Sequence, residues 1–190
     1  MKRFVKAFII IMVVLALTYL GVRVTLNSAD EGGLTPVHFA AMEGDAEKVS
    51  LMLAWGGNVA APTPEGVTPL HLAGSPDVVT VLTHRGAKLD ARTAAGDTPL
   101  HSVCLNQRPD VVQRMTKLGA DVNALNDTKE TPLHMAAVEG DTRTAALLLE
   151  HGANPRLRDA HGLTPRQVAQ RKNHLALAQA LAKAENTAVK

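Results

Sequence analysis

The sequence predicts an all-α fold, in which an N-terminal transmembrane or signal-anchor helix precedes a solenoid of about five helix-turn-helix repeats. Three observations predict this fold. A Thr-Pro step recurs along the chain, mostly at intervals of 33 residues. A glycine follows each of the first four stretches that we expect to be second helices. A long uncharged run lies close to the N-terminus.

The uncharged run covers residues 7–22, between Lys6 and Arg23. As a helix it would be about 24 Å long, and its apolar flanks extend it toward the roughly 30 Å of a bilayer core. Three basic residues precede the run, so the N-terminus is expected to stay in the cytoplasm. No A-x-A-like cleavage site follows. We therefore expect residues 1–23 to be an uncleaved signal anchor, with a cleaved signal peptide as the alternative.

Residues 24–32 are predicted to form a short linker, and residues 33–190 to hold the repeats. The predicted boundaries are 33–65, 66–95, 96–128 and 129–161, followed by a C-terminal cap at 162–190. Each repeat opens with a Thr-Pro step, in which Thr can cap a helix and Pro fits its first turn. These steps are Thr35-Pro36, Thr68-Pro69, Thr98-Pro99, Thr131-Pro132 and Thr164-Pro165.

Each second helix is predicted to end at a glycine that can adopt a left-handed conformation, namely Gly56, Gly86, Gly119 and Gly152. One such helix pair cannot bury its own apolar face, so stability must come from stacking.

Two repeats depart from the pattern. The second is three residues short, and Ser75 and Pro76 are expected to restart its second helix. This deletion should leave a notch on the recognition face. The fifth has Arg166 and Gln167 in place of Leu-His, as a polar cap requires.

The repeats resemble those of the ankyrin family, whose pattern is G-x-T-P-L-H-x-A-A, a helical stretch and G-A-D-V-N-A. Residues 119–124 match the second motif almost completely, and the resemblance extends from Gly33 to about Ala182. It implies a non-catalytic module for protein-protein interaction, which we expect to be of a bacterial, membrane-anchored or periplasmic type.

Composition and motifs argue against other classes of function. Aromatic residues make up 3% of the chain and the net charge is +2, so nucleic acid is not an expected partner. The single cysteine, Cys104, takes a slot that is small and buried in other repeats. The histidines of the T-P-L-H motifs are expected to bond to neighbouring loops. We therefore expect no enzyme activity, metal, cofactor or small-molecule substrate.

Partner-binding residues follow from the repeat slots, because ankyrin proteins usually bind through turn tips and the exposed edge of the first helices. The residues in those slots are Leu34, Met42, Glu43, Trp55, Arg92, Asp97, Leu105, Asn106, Leu118, Leu125, Glu130, Val138, Glu139 and Arg158. In addition, Phe39 or Trp55 is expected to help cover the uncapped first repeat, against the linker, the bilayer or a partner.

The predicted function is a protein-binding module that residues 4–24 tether to the inner (cytoplasmic) membrane, with the solenoid in the periplasm or outside the cell. A soluble periplasmic or secreted form after cleavage is the alternative location. Two alternative functions are a secreted inhibitor or immunity protein, and a regulatory subunit of an envelope enzyme involved in stress resistance.

Overall fold

The computed structural model describes Gly21 and residues 25–187, and these residues contain helices and turns but no β-strand. Four α-helical pairs and one pair with a shortened first helix follow one another along the chain. The helices are α1 (Pro36–Glu43), α2 (Ala46–Ala54), a 3-10 helix (Pro69–Leu72), α3 (Pro76–His84), α4 (Pro99–Leu105), α5 (Pro109–Lys117), α6 (Pro132–Glu139), α7 (Thr142–Glu150), α8 (Pro165–Arg171) and α9 (Leu175–Thr187).

The Thr-Pro steps start the first helices as the sequence predicts. Thr35 of α1, for example, has the extended backbone of an N-cap, and Pro36 occupies the first helical position. The second helices of repeats one and two begin at polar caps of their own: Asp45 accepts a hydrogen bond from the Lys48 backbone N–H, and Ser75 accepts one from Val78. These two caps satisfy backbone donors that the helices leave unpaired.

The core lies between the helices and continues from one repeat into the next. Its largest members include Leu70, Leu100 and Leu133 from the first helices and Met115 and Leu148 from the second. First helices pack against first helices of the neighbouring repeats, and second helices against second helices. Each repeat is therefore stabilised chiefly by its neighbours.

The turns that connect repeats share one hydrogen-bonding pattern. The backbone N–H of Thr63 donates to the carbonyl of Val67 at 2.9 Å, and Thr93 donates to Asp97 in the same way at 3.0 Å. An equivalent bond is present before repeat one, where the backbone N–H of Asp30 donates to the carbonyl of Leu34 at 3.0 Å. The turn pattern thus begins within the stretch predicted to be a linker.

Repeat two has only the 3-10 helix where the other repeats have a first α-helix. Gly74 follows it and donates its backbone N–H to the carbonyl of Ala41 at 2.8 Å, while the Ser75 hydroxyl donates to the carbonyl of Gly44 at 2.9 Å. The three-residue deletion therefore draws the chain of repeat two against the end of α1.

The predicted membrane anchor, residues 1–23, lies outside the described residues apart from Gly21. Within the described part of the chain, no helix combines the length and the apolar character needed to cross a bilayer.

Candidate protein-binding surface

The four histidines of the T-P-L-H motifs connect neighbouring repeats. In repeat three, the Thr98 backbone N–H donates to His101 Nδ1 at 3.2 Å, and His101 Nε2 lies 3.0 Å from the carbonyl oxygen of Glu130 in repeat four. We call this arrangement the Thr–His–carbonyl link. It recurs with His38, His71 and His134, which reach the carbonyls of Val67, Asp97 and Leu163.

This geometry fixes the protonation of the ring. Since Nδ1 accepts and Nε2 faces a carbonyl, the hydrogen-bond network assigns one proton to Nε2. Burial lowers the pKa of each motif histidine below its usual value, although the carbonyl bond opposes this shift. In the described residues, no three His, Cys, Asp or Glu side chains come together in a way that could hold a metal ion.

Cys104 is fully buried on α4. Burial raises the pKa of its thiol far above the usual value, which keeps the sulfur protonated and poorly nucleophilic. Its environment is that of a small core residue.

Several residues predicted to bind a partner also make contacts within the solenoid. The Arg92 guanidinium donates to the carbonyl oxygens of Gly96 and Leu125, at 2.8 and 2.7 Å, and so connects two turn tips. The Asp97 carboxylate accepts a bond from Asn126 at 2.8 Å. The half-buried members of the predicted set are Leu34, Asp97, Leu118, Glu130, Val138 and Glu139.

Two other charged members of the set are exposed but bonded within the chain. Glu43 forms an ion pair with Lys48 at 2.7 Å, and the Arg158 guanidinium donates to the carbonyl of Gly162 at 2.6 Å. Such exposed ion pairs contribute little to stability. Their side chains remain accessible from solvent, so partner contact stays a prediction for both.

The apolar members are the more distinctive part of the predicted surface. Met42 is 48% exposed and Leu105 is 44% exposed, each near the end of a first helix. Trp55 and Leu125 are exposed as well, and so is the polar residue Asn106. Exposed apolar side chains of this size mark candidate contact sites when they lie beside one another.

A cavity of about 320 Å³ opens where repeat two is short. We call it the notch, and it is lined by Met42, Leu72, Ala73, Gly74, Asn106 and Arg108. It brings together two residues of the predicted set, Met42 from repeat one and Asn106 from repeat three. The notch expected from the deletion is therefore present.

Arg108 is the residue of this site that the slot argument missed. Its guanidinium crosses the gap left by the deletion and donates to the carbonyl of Gly74 at 2.7 Å. A signal existed, because Gln107-Arg108 stands where repeats one and four have Gly-Asp before the second helix. An arginine there can reach back along the solenoid, whereas the aspartates cap the next helix.

Comparison with known proteins now identifies the repeats. The family model for "Ankyrin repeats (3 copies)" matches three overlapping stretches, residues 12–93, 74–159 and 100–190. The chain belongs to the ankyrin repeat family. This confirms the resemblance drawn from the T-P-L-H and G-A-D-V-N-A motifs, and with it the all-α repeat fold and the general role in protein-protein interaction.

Curated ankyrin proteins resemble parts of the chain. Protein phosphatase 1 regulatory subunit 27 of Mus musculus is 35% identical over 80 residues, which cover 40% of this chain and 52% of that protein. Alpha-latrotoxin-Lt1a of Latrodectus tredecimguttatus is 34% identical over 94 residues, 47% of this chain and 7% of the toxin. Rabankyrin-5 of Mus musculus is 27% identical over 144 residues, 72% of this chain and 12% of that protein.

The aligned region spans about half the length of the phosphatase subunit and much less of the two larger proteins. The relatives named here are eukaryotic, and they give no support to the expectation of a bacterial type.

Proposed function

We propose that this ankyrin repeat protein is a non-catalytic module that binds a protein partner at the notch. The observation that carries the proposal is the notch itself, a cavity lined by exposed Met42, Asn106 and Arg108 in an otherwise regular stack. Neither Cys104 nor the motif histidines offer reactive chemistry there, because all are buried and bonded or packed within the solenoid.

The chemistry of the notch indicates what it would hold. Met42 and Leu105, which precedes the lining residue Asn106 in the chain, offer apolar contact area, and a methionine adapts its shape to the partner. Asn106 can donate and accept hydrogen bonds, and the Arg108 guanidinium has further N–H groups besides the one bonded to Gly74. An apolar side chain next to a carbonyl or carboxylate oxygen would match this lining.

The test compares the full chain with a Met42→Ala/Leu105→Ala variant in affinity capture and then in measured affinity. We expect the captured partner to bind the variant at least about tenfold more weakly, as for other central apolar contacts. Leu175→Ala is the matched control, because Leu175 is exposed to a similar degree but lies on α9, outside the notch. Unchanged affinity of the double variant would contradict the proposal.

Regulation of an enzyme is the more specific form of this function that a relative supports. One relative, protein phosphatase 1 regulatory subunit 27 of Mus musculus, is named a regulatory subunit, and it shares 35% identity over 80 residues. A captured enzyme should therefore change activity when the chain is added. If the activity of the captured enzyme falls, the result would favour the alternative function of a secreted inhibitor or immunity protein.

Membrane tethering, with the solenoid in the periplasm or outside the cell, is a proposal from the sequence alone. Its support is the uncharged run between Lys6 and Arg23 and the basic residues before it. Tethering requires the full chain to remain with lipid vesicles through an alkaline wash.

A further inference from the structure

Repeat one has an apolar face where the inner repeats contact a preceding neighbour. Phe39 is 38% exposed. Met135 and Val168, which occupy the same position of the first helix in repeats four and five, are 7% and 8% exposed. Leu51 is 60% exposed. We call the surface around Phe39 and Leu51 the N-terminal face.

The counterpart of Leu51 in repeat three shows that this position of the second helix faces the preceding repeat. Arg114 occupies that slot on α5, and its Nε donates to the hydroxyl of Thr80 on α3 of repeat two, at 2.8 Å. The corresponding neighbour of Leu51 would belong to a second helix preceding repeat one. An apolar side chain in this position indicates an apolar occupant.

Hydrogen bonds at Asn27 reproduce a contact made between two complete repeats. Asn27 donates to the carbonyl of Gly56 at 3.0 Å and accepts from the backbone N–H of Asn58 at 2.7 Å. Asn123 makes the same pair of bonds to Gly152 and Asn154, at 3.1 and 2.8 Å. Asn27 therefore stands where the end of a preceding repeat would stand.

The turn after Asn27 also follows the repeat pattern. The Asp30 carboxylate accepts from the backbone N–H groups of Gly32 and Leu34, at 3.0 and 2.8 Å. Asp159, at the start of the repeat-five turn, accepts from the second and fourth following residues in the same way, at 2.9 and 2.8 Å. Two independent features thus place residues 27–34 in the register of an earlier repeat.

The sequence before Thr25 continues this register. Residues 13–21 lie one 33-residue period before α2, and the family match begins at residue 12. The described chain resumes at Thr25, and Asn27 is bonded to the end of repeat one. A segment that enters at this point lies beside the end of α2, the helix that carries Leu51 of the N-terminal face.

We propose that residues 12–24 of this chain dock on the N-terminal face as the second helix of an incomplete repeat. The register pairs Leu17 with Leu51, in the way that Thr80 pairs with Arg114. Docking would bury the apolar side chains that a membrane anchor would place in lipid. The segment therefore cannot dock and serve as a membrane anchor at the same time.

A double-mutant cycle on the full chain in detergent-free buffer tests the pairing. Leu17→Ala and Leu51→Ala are made singly and together, and the unfolding equilibrium is measured in urea. We expect the two changes to be non-additive by about threefold or more in the unfolding equilibrium constant. Leu17→Ala combined with Leu125→Ala is the matched control, expected to be additive because Leu125 lies on the repeat-three turn, away from the N-terminal face of repeat one.

Additive behaviour of the Leu17–Leu51 pair would overturn the proposal, and so would flotation of the full chain with phosphatidylcholine–phosphatidylglycerol vesicles. If residues 12–24 dock on the N-terminal face, the wild-type chain stays in the dense, lipid-free fraction, whereas tethering would carry it with the vesicles. Neither result depends on partner binding at the notch, so failure here is distinguishable from failure of the proposed function.

Discussion

At the scale of single residues, the Thr–His–carbonyl link joins the start of one helix to the next repeat. His101 satisfies the Thr98 backbone N–H within its own repeat and the Glu130 carbonyl beyond it. In repeat five, Gln167 stands in the place of the histidine, and its Oε1 accepts from the Thr164 backbone N–H at 2.9 Å. This bond corresponds to the part of the link that lies within one repeat.

We expect His101→Ala to lower the free energy of unfolding by about 2–4 kcal/mol. The change leaves a buried donor and a buried acceptor unpaired and opens a void in their place. Urea unfolding of the two chains measures the difference. His151→Ala is the control, expected to stay within about 0.5 kcal/mol because His151 is exposed. Equal losses from the two substitutions would contradict the role given to His101.

The sequence allowed the role of these residues to be predicted, but not that of Arg92 or Arg108. The Thr-Pro-Leu-His spacing repeats, so one physical explanation serves four positions. An arginine occupies this slot in two repeats, as Arg92 and Arg158, and the slot indicates exposure but not the carbonyls of Gly96 and Leu125 that the long side chain of Arg92 reaches. A repeat pattern therefore predicts shared contacts better than contacts made by a single variable side chain.

At the scale of elements, the short first helix of repeat two depends on a close backbone contact. A Cβ on Gly74 would clash with the carbonyl oxygen of Met42 and lie 3.0 Å from the backbone nitrogen of Gly44. Both neighbours are backbone atoms at the end of α1, so the contact cannot be relieved by a side-chain rotation. The glycine is thus required by the approach of two chain segments.

We expect Gly74→Ala to destabilise the protein by about 1–3 kcal/mol, since the end of α1 must move to admit the methyl group. Thermal unfolding followed by circular dichroism measures the loss. Gly32→Ala serves as the control because a Cβ there meets only Asp30 Oδ1, at the ordinary contact distance of 3.4 Å. A Gly74→Ala chain as stable as the control would show that the two segments are not in contact.

The order of the elements was largely predictable and the start of the solenoid was not. Periodic Thr-Pro steps and glycines predicted each helix pair, and the missing residues predicted the notch. Residues 24–32 were expected to be a linker because their letters match no complete motif. The hydrogen bonds of Asn27 and Asp30, which reveal the repeat register, depend on three-dimensional contacts with Gly56, Asn58 and the following turn.

At the scale of the whole molecule, the same link crosses every interface between successive repeats. His38, His71, His101 and His134 are all buried and held neutral. Protonation of any one of them would place a second donor against the Thr N–H. The solenoid as a whole therefore has four sites at which acid opposes folding.

We expect stability to fall as the pH drops below about 6.5, the histidine pKa in an unfolded chain. The folded pKa values are lower, so the unfolded chain binds more protons in this range and the stabilising contribution is complete only above it. Tm measured between pH 8 and pH 5 provides the test. His134→Gln should reduce the slope, and a wild-type Tm that does not change over this range would contradict the prediction.

The position of Trp55 has a consequence for how unfolding would be observed. It is the one tryptophan of the chain and caps the C-terminal end of α2 in repeat one. Its fluorescence therefore reports the surroundings of the terminal repeat, whereas far-ultraviolet circular dichroism sums over every helix. Each repeat in a stack contacts only the neighbouring repeats. A difference between the unfolding midpoints given by the two signals would therefore measure how far cooperativity extends from one end of the molecule to the other.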